Sequence, residues 1–237
     1  MQTVHRYERL PSTQDEVHRL AAEGAPAGTV VVAAEQAAGR GTRGRSWASP
    51  PGGLWLSFLC RPTRLPGVEV LSLRVGLAAS EALAEVGGLP PVSLKWPNDL
   101  IVSDRKVGGI LCEARWRGDV LDWVAVGLGL NVRNALPDDA RVPPGRLVDW
   151  RHDLEPEHIL WPVVASLLPL AETGSGLSNA ELKAFARRDW LLGRELSEPA
   201  RGRAAGIDPD GALRVLKPDG QLVRVSSGSV VVAGEAA

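Results

Sequence analysis

Apolar positions run almost unbroken through Thr29-Val30-Val31-Val32-Ala33-Ala34 and through Leu54-Trp55-Leu56-Ser57-Phe58-Leu59-Cys60. Short continuous apolar runs rich in β-branched and aromatic residues predict strands buried on both faces. Val92-Ser93-Leu94-Lys95-Trp96 predicts a third strand, broken by Pro97-Asn98-Asp99 and resumed by Leu100-Ile101-Val102. Residues 106–113 and 120–127 predict two more. A turn at Ser103-Asp104-Arg105 and a hairpin near Asp119 connect them. Helical spacing separates these runs. Ser12-Thr13-Gln14-Asp15-Glu16 opens a helix, with Ser12 as cap and Val17, Leu20 and Ala21 as its apolar stripe, ending near Gly24 before Pro26. Residues 68–86 place Leu71, Val75, Ala78, Ala79 and Leu83 at helical spacing and end at Gly87-Gly88. Residues 134–150 are proline-rich and predict a surface loop. Residues 155–173 and 178–192 predict two helices, the first made irregular by Pro162 and Pro169.

The pattern changes after Gly193. Asp208-Pro209-Asp210-Gly211 and Lys217-Pro218-Asp219-Gly220 are turn signals between alternating segments such as Leu213-Arg214-Val215-Leu216. They predict a small antiparallel β-barrel. The expected organisation is a catalytic domain over 1–193 and a barrel domain over 194–237. In the first, strands joined by short turns predict an α+β fold: a mixed, largely antiparallel sheet with helices on one face.

Composition narrows the class. With 237 residues, 44% of them hydrophobic, the chain can bury a sizeable core. A formal net charge of −1 argues against general nucleic-acid binding, which needs a basic surface. No apolar run approaches the ~20 residues that span a bilayer. The first residues, Met-Gln-Thr-Val-His-Arg-Tyr-Glu, carry no signal-peptide core. Cys60 and Cys112 lie far apart in apolar runs without metal-ligand spacing, so both are expected as buried thiols. A soluble, cytoplasmic protein is the expectation.

The candidate chemistry centres on Gly39-Arg40-Gly41-Thr42-Arg43-Gly44-Arg45-Ser46-Trp47, which follows a predicted strand ending in Glu35-Gln36. Glycines allow close backbone approach. Arginine forks bind phosphate or carboxylate. The indole offers a face to a flat ring. The ordinary fate of such a run is a solvated turn. Gly39, Gly44, Arg45 and Ser46 match the phosphate-loop spacing with arginine in place of lysine, but that motif must open a helix, and Trp-Ala-Ser-Pro-Pro-Gly-Gly cannot. An arginine-glycine nucleic-acid segment belongs in a long basic tract, which is absent here. What remains is a loop that wraps an anionic, nucleotide-containing ligand.

A second polar cluster, Lys95-Trp96-Pro97-Asn98-Asp99, sits in the strand break, and a hairpin would bring Asp99 to Lys106. A solvated pair there would be worth little. A lysine beside an arginine-glycine loop suits charge developing on phosphoryl oxygens, and a carboxylate nearby can hold a metal or steer an amine. His5, His18, His152 and His158 lie outside both clusters, which argues against histidine general-base chemistry.

In order, Glu35-Gln36-x-x-Gly39-Arg40-Gly41-Thr42-Arg43-Gly44-Arg45-x-Trp47, Lys95-Trp96-Pro97-Asn98-Asp99, Arg105-Lys106-x-Gly108-Gly109-Ile110-Leu111 and Gly127-x-Gly129-x-Asn131 resemble the biotin–protein ligase family, from about Ser12 to the end of the chain. The resemblance implies a catalytic domain like those of class II aminoacyl-tRNA synthetases and biotin–lipoate ligases, followed by an SH3-like barrel. It implies a two-step reaction. Biotin's carboxylate attacks the α-phosphorus of MgATP to give biotinyl-5′-adenylate, and a lysine on the biotin carboxyl carrier domain of acetyl-CoA carboxylase or a related carboxylase then takes the biotin.

By similarity, Ser12, Thr13, Gln14 and Gln36 would meet the biotin rings. Gly39, Arg40, Gly41, Thr42 and Gly108 would belong to the same site, with Arg40 and Gly41 covering biotin and the phosphate side. Lys106 would bridge the carboxylate and α-phosphate, and Asp99 would orient or deprotonate the acceptor lysine. Arg40, Lys106 and Asp99 are thus the implied catalytic set. Arg43, Arg45, Trp47, Lys95, Asn98 and Asn131 would serve ATP, Trp47 beside adenine, Asn98 supporting ATP or its Mg2+, Asn131 reading adenine or ribose. Family analogy allows a homodimer.

The sequence departs from the family twice. Eleven residues before Ser12 leave no room for the helix-turn-helix domain some members carry, so no DNA binding is expected. Rival functions are a lipoate or octanoyl transferase, an inert biotin-binding module and a nucleic-acid binder. The loop and tail favour biotin over the first, and Lys106 with Asp99 argue against the second. The other departure is Thr42, where members often carry arginine. Its loss implies faster leakage of the adenylate unless Arg43 compensates. Thr42→Arg is expected to release biotinyl-adenylate more slowly than wild type in a dissociation assay; identical rates would overturn the idea.

Overall fold

The long apolar runs become the middle of a seven-stranded sheet in the computed structural model, which describes residues 4–62, 68–137, 142–172 and 176–234. Its strands are β1 (Val4–Leu10), β2 (Val30–Gln36), β3 (Leu54–Cys60), β4 (Ser93–Lys95), β5 (Asp99–Val102), β6 (Arg105–Arg117) and β7 (Val120–Leu130). The spatial order is β1-β2-β3-β7-β6-β5-β4. β1 and β2 are parallel and the other pairs antiparallel, so the sheet is mixed and largely antiparallel, as expected. β3 is buried at every position because it lies mid-sheet with helices above and below.

The helices are α1 (Thr13–Ala22), α2 (Val68–Val86), α3 (Pro156–Leu167) and α4 (Asn179–Ala186). Neighbouring residues of one strand face opposite ways. Val30, Phe58, Val124 and Val126 face the large core with Leu71, Val75 and Leu83 of α2 and Ile159 and Val163 of α3. Val31, Leu59 and Ala125 face a second, smaller core with Val17 and Ala21 of α1. The expectation of helices on one face therefore needs correcting for α1. Both faces of the central strands are apolar, so both require cover.

Three further differences have local causes. β1 was not anticipated because Val-His-Arg-Tyr-Glu-Arg-Leu is a polar, half-exposed edge strand without a clean alternation. α4 stops well before residue 192 because the chain beyond it pairs with β4: Leu94 N–H donates to Arg188 O (2.8 Å) and Trp190 N–H to Leu94 O (3.0 Å). The proline-rich stretch 134–150, of which 138–141 lie outside the described residues, is not simply a surface loop. Lys106 N–H donates to Pro143 O (2.7 Å), Gly145 N–H to Lys106 O (2.9 Å), and Leu147 is fully buried. This stretch therefore walls one side of Lys106.

The tail forms a five-stranded antiparallel sheet of β8 (Glu195–Glu198), β9 (Gly202–Ile207), β10 (Leu213–Leu216), β11 (Leu222–Val225) and β12 (Val231–Val232), in the order β11-β10-β9-β8-β12. Its two predicted turns close with Gly211 N–H to Asp208 O (2.9 Å) and Gly220 N–H to Lys217 O (3.0 Å). Leu196, Ala204, Leu213 and Val215 join the large core of the front section. Among the described residues no helix is long and apolar enough to cross a membrane.

Trp96 ties the two sheets together. Its indole is buried and its Nε1–H donates to Gly211 O at 2.8 Å. Trp96→Phe keeps most of the packing but strands that carbonyl, at a cost of about 1–3 kcal/mol. A lower urea midpoint with an unchanged slope is the expected result.

Candidate active site

The face of the sheet that carries α1 is bare of side chains in one patch. Gly109 of β6 pairs with Gly129 of β7, and Leu111 pairs with Gly127. These glycines form a floor. A Cβ on Gly129 would lie 2.6 Å from Trp47 Nε1, one on Gly109 3.1 Å from the same ring, and one on Gly127 3.2 Å from Gln14 Cδ. Above the floor lies a cavity of about 790 Å³, in the size range of small-ligand sites.

One end of the cavity belongs to the start of α1. Ser12 caps the helix, its Oγ accepting from Gln14 N–H at 3.3 Å. Capping and cavity lining are therefore both true of it. Thr13 N–H and Oγ1–H both donate to Gln36 Oε1 (2.8 and 3.0 Å), and Gln36 Nε2–H donates to Ser49 Oγ (2.8 Å). Thr13 Oγ1 also meets Ser57 Oγ at 2.8 Å. Gln14 Nε2–H donates to the carbonyls of Leu111 (3.1 Å) and Ala125 (3.3 Å), while its Oε1 is buried with no partner among the described residues. An unpaired buried acceptor is costly, and a ligand N–H would satisfy this one.

The strand break forms the other end. Lys106 Nζ lies 2.6 Å from Asp99 Oδ1, as the hairpin reading expected. The same ammonium stands 5.1 Å from the centre of the Trp47 ring. Asn98 is held on β6 by Nδ2–H to Ile110 O (2.7 Å). Lys95 is buried and sits 4.9 Å over the Trp190 ring. Asn131 Oδ1 accepts from Asn134 Nδ2–H at 3.2 Å.

The arginine-glycine loop is a small hairpin. Gly41 N–H donates to Arg45 O (2.8 Å), Trp47 N–H donates to Gly39 O (2.8 Å), and Arg40 bridges to Ser46. Arg43 takes a left-handed conformation at φ 62° and its Nη1–H reaches Ser229 Oγ (3.1 Å) in the tail. Arg45 turns back to Thr42, donating to its carbonyl (3.2 Å) and hydroxyl (3.0 Å). Arg40 Nε–H and Nη2–H donate to the two oxygens of Glu113 (3.2 and 2.9 Å), and Nη1–H to Asp15 (2.5 Å). Glu113 lies four residues along β6 from Gly109, or about 13 Å at ~3.3 Å per residue.

All but two of the expected site residues line this one cavity; Gly39 and Gly108 do not. Each is required for packing instead. A Cβ on Gly39 would meet Trp47 O at 2.5 Å, and one on Gly108 would meet Gly129 O at 2.8 Å. Arg40 points to the carboxylates at the α1 end, and Trp47 lies on the glycine floor beside the Lys106 ammonium. The sequence reading missed Ser57, Glu113 and the segment Ser226-Ser227-Gly228-Ser229, which also lines the cavity. It set His18 aside, yet His18 Nε2 is 3.5 Å from Glu113. Ser57 had a visible signal as the polar residue inside a wholly apolar strand.

Residues 7–131 match the biotin/lipoate A/B protein ligase family, and residues 192–232 match the biotin protein ligase C terminal domain. The chain belongs to this ligase family. The biotin–[acetyl-CoA-carboxylase] ligase of Paracoccus denitrificans is 33% identical over 232 residues, covering 91% of this chain and 95% of that protein. The bifunctional ligase/repressor BirA of Bacillus subtilis is 38% identical over 140 residues; the match takes in 57% of this chain and 43% of BirA, less than half its length. The structure of biotin protein ligase from Aquifex aeolicus in complex with biotin and ATP superposes with a TM-score of 0.81 at 29% identity, covering 98% of this chain and 99% of that one. Family membership thus rests on both sections of the chain, the cavity-bearing sheet and the tail.

The imidazole of His18 and the guanidinium of Arg40 hold the Glu113 carboxyl down at about 2. A carboxyl lowered on folding stabilises the native state above its unfolded value, near 4.5, and loses that contribution as pH falls toward 2. Between those limits wild type is expected to lose stability more steeply than Glu113→Gln, measured as unfolding midpoint against pH.

Proposed function

We propose that this ligase forms biotinyl-5′-AMP from biotin and ATP and passes the biotin to a lysine of the biotin carboxyl carrier domain of a carboxylase. The observation that carries the reading is the Lys106–Asp99 pair at 2.6 Å. It stands at one end of a cavity whose other end offers hydroxyls and amides. A ureido ring both donates and accepts hydrogen bonds, which suits Thr13, Ser57 and the unpaired Gln14 Oε1. The valeryl chain then runs along the cavity beside Trp47 and delivers its carboxylate to Lys106. The Aquifex relative, solved with biotin and ATP, supports this choice of ligands. The name of the Paracoccus relative supports acetyl-CoA carboxylase as the source of the acceptor.

In the first step the biotin carboxylate oxygen bonds to the α-phosphorus and pyrophosphate leaves. Two anions must meet, and Lys106 supplies the positive charge that lets them. In the second step the neutral amine of the acceptor lysine attacks the acyl carbon and AMP leaves. Asp99, already bonded to Lys106, is placed to orient that amine and take its proton. Trp47 and the loop hairpin cover the floor and keep out water, which would hydrolyse the mixed anhydride.

ATP arrives as its Mg2+ complex. Among the described residues no group of three His, Cys, Asp or Glu side chains could hold a metal by itself. Asn98 and Asp99 would be the protein side chains that hold the metal alongside the phosphates, and its chemistry would be to neutralise phosphate charge. Asn131 and the 226–229 segment form the nucleotide end, with Arg43 and Arg45 on the phosphate side. A cytoplasmic setting suits the reaction, where ATP is available and where Cys60 and Cys112 remain free thiols.

The test is biotin-dependent ATP–pyrophosphate exchange, with lipoate as control. Exchange is expected with biotin alone. Lys106→Ala should lose about 10²–10³-fold, the size of effect seen when one transition-state donor is removed. Exchange driven by lipoate would move the chain to the lipoate branch. Full exchange by Lys106→Ala would remove that residue from the chemistry.

A further inference from the structure

Arg40 is the loop arginine bound to carboxylates, and every part of its fork is engaged. Nε–H and Nη2–H grip Glu113 of β6 in bidentate fashion, and Nη1–H grips Asp15 of α1. Glu113 is itself positioned. Trp123 of β7 donates its Nε1–H to His18 Nδ1 at 2.9 Å. The hydrogen of neutral His18 is therefore on Nε2, the nitrogen that faces Glu113 at 3.5 Å. The chain Trp123–His18–Glu113–Arg40–Asp15 links two strands, a helix and the loop.

The mechanical consequence follows from the loop's own hydrogen bonds. Arg40 bridges to Ser46, and Trp47 N–H is bonded to Gly39 O. Fixing the Arg40 guanidinium thus fixes both arms of the hairpin and the place where the Trp47 indole meets the floor. Residues 43–46 are exposed, and their side-chain contacts run to Ser229 and Thr42 rather than to the sheet. Two carboxylates on one guanidinium turn the Arg40 fork toward the α1 end of the sheet, and Lys106 lies about 23 Å back along β6 from Glu113 at ~3.3 Å per residue.

We propose that Glu113 is a positioning residue for substrate retention: by clamping Arg40 it holds the 39–47 hairpin, and Trp47 at its end, closed over the cavity. Asp15 and His18 assist it, and none of the three touches the reacting atoms. The identity of what is retained, biotin and its adenylate, rests on the function proposed above; the clamp itself does not.

The experiment therefore has two arms on the full chain. In the first, ligand-free protein is digested briefly with trypsin and cleavage after Arg43 and Arg45 is followed by mass spectrometry. Glu113→Gln is expected to speed cleavage about 10-fold, the order expected on losing a charge-assisted bidentate pair. Asp15→Asn should do the same more weakly. In an Arg40→Ala background Glu113→Gln should add nothing, since both remove one contact. The second arm measures exchange kinetics. Glu113→Gln should raise KM for biotin about 10-fold by the same loss, with kcat within about twofold of wild type because Lys106 and Asp99 are untouched. Unchanged cleavage, or additive effects in the double variant, overturns the clamp. A fall in kcat at unchanged KM would make Glu113 part of the chemistry and also overturns it. If wild type shows no exchange with biotin, the proposed function fails, and the cleavage arm still decides the clamp.

Discussion

The constraint on which the site depends is the absence of side chains at Gly109, Gly127 and Gly129. A sheet with apolar residues on both faces has to be covered on both, and here α1 covers only the end of its face near Val31, Leu59 and Ala125. The rest of that face would fill with side chains if the floor residues had any. Removing them opens a cavity without thinning the core, because Leu128 and Leu130 on the opposite face of β7 stay buried against α2 and α3. The cavity is thus made by strand alternation: one face of β7 packs, the other yields. Lys106, Asp99 and Trp47 have their positions relative to one another because all three are read off that same floor.

How much of this was legible in the sequence depends on how local the cause was. β3 and α2 were found at their observed bounds because one long apolar run and one helical stripe leave little choice. The Lys106–Asp99 contact was legible as well, since a hairpin with a short turn fixes its own cross-strand pairs. What was hidden came from partners far away in the chain. β1 is an edge strand whose polar residues carry no period, and only its parallel neighbour makes it a strand. α4 ends early because β4 claims the following backbone. Nothing between residues 178 and 192 announces that.

The site shows the same division. The Gly-Arg loop and the strand-break cluster could be joined by motif order, but the direction of each arginine could not. Arg40, Arg43 and Arg45 look interchangeable in a list of residues, yet they end on a carboxylate pair, on a tail serine and on Thr42. The backbone at Arg43 is left-handed, and its side chain reaches Ser229 at the edge of the cavity. A non-glycine residue there carries some backbone cost. The contact with the tail is the compensation visible in the structure. The tail is therefore more than an appendage: it shares the large core and touches the loop.

Thr42 illustrates why a departure from a motif has to be judged in place. Read from the sequence, it is a missing fork. In the structure its hydroxyl and carbonyl receive two hydrogen bonds from Arg45. An arginine at this position would remove the hydroxyl acceptor, set a second guanidinium beside the first and free Arg45 to turn elsewhere. The substitution would thus change the aim of two arginines at once. Arg43 offers no simple substitute for the lost fork, because its own reach is already taken by Ser229. The loop as it stands has one arginine tied to the sheet, one to the tail and one to itself. That division lets a glycine-rich hairpin hold a defined shape over an open floor.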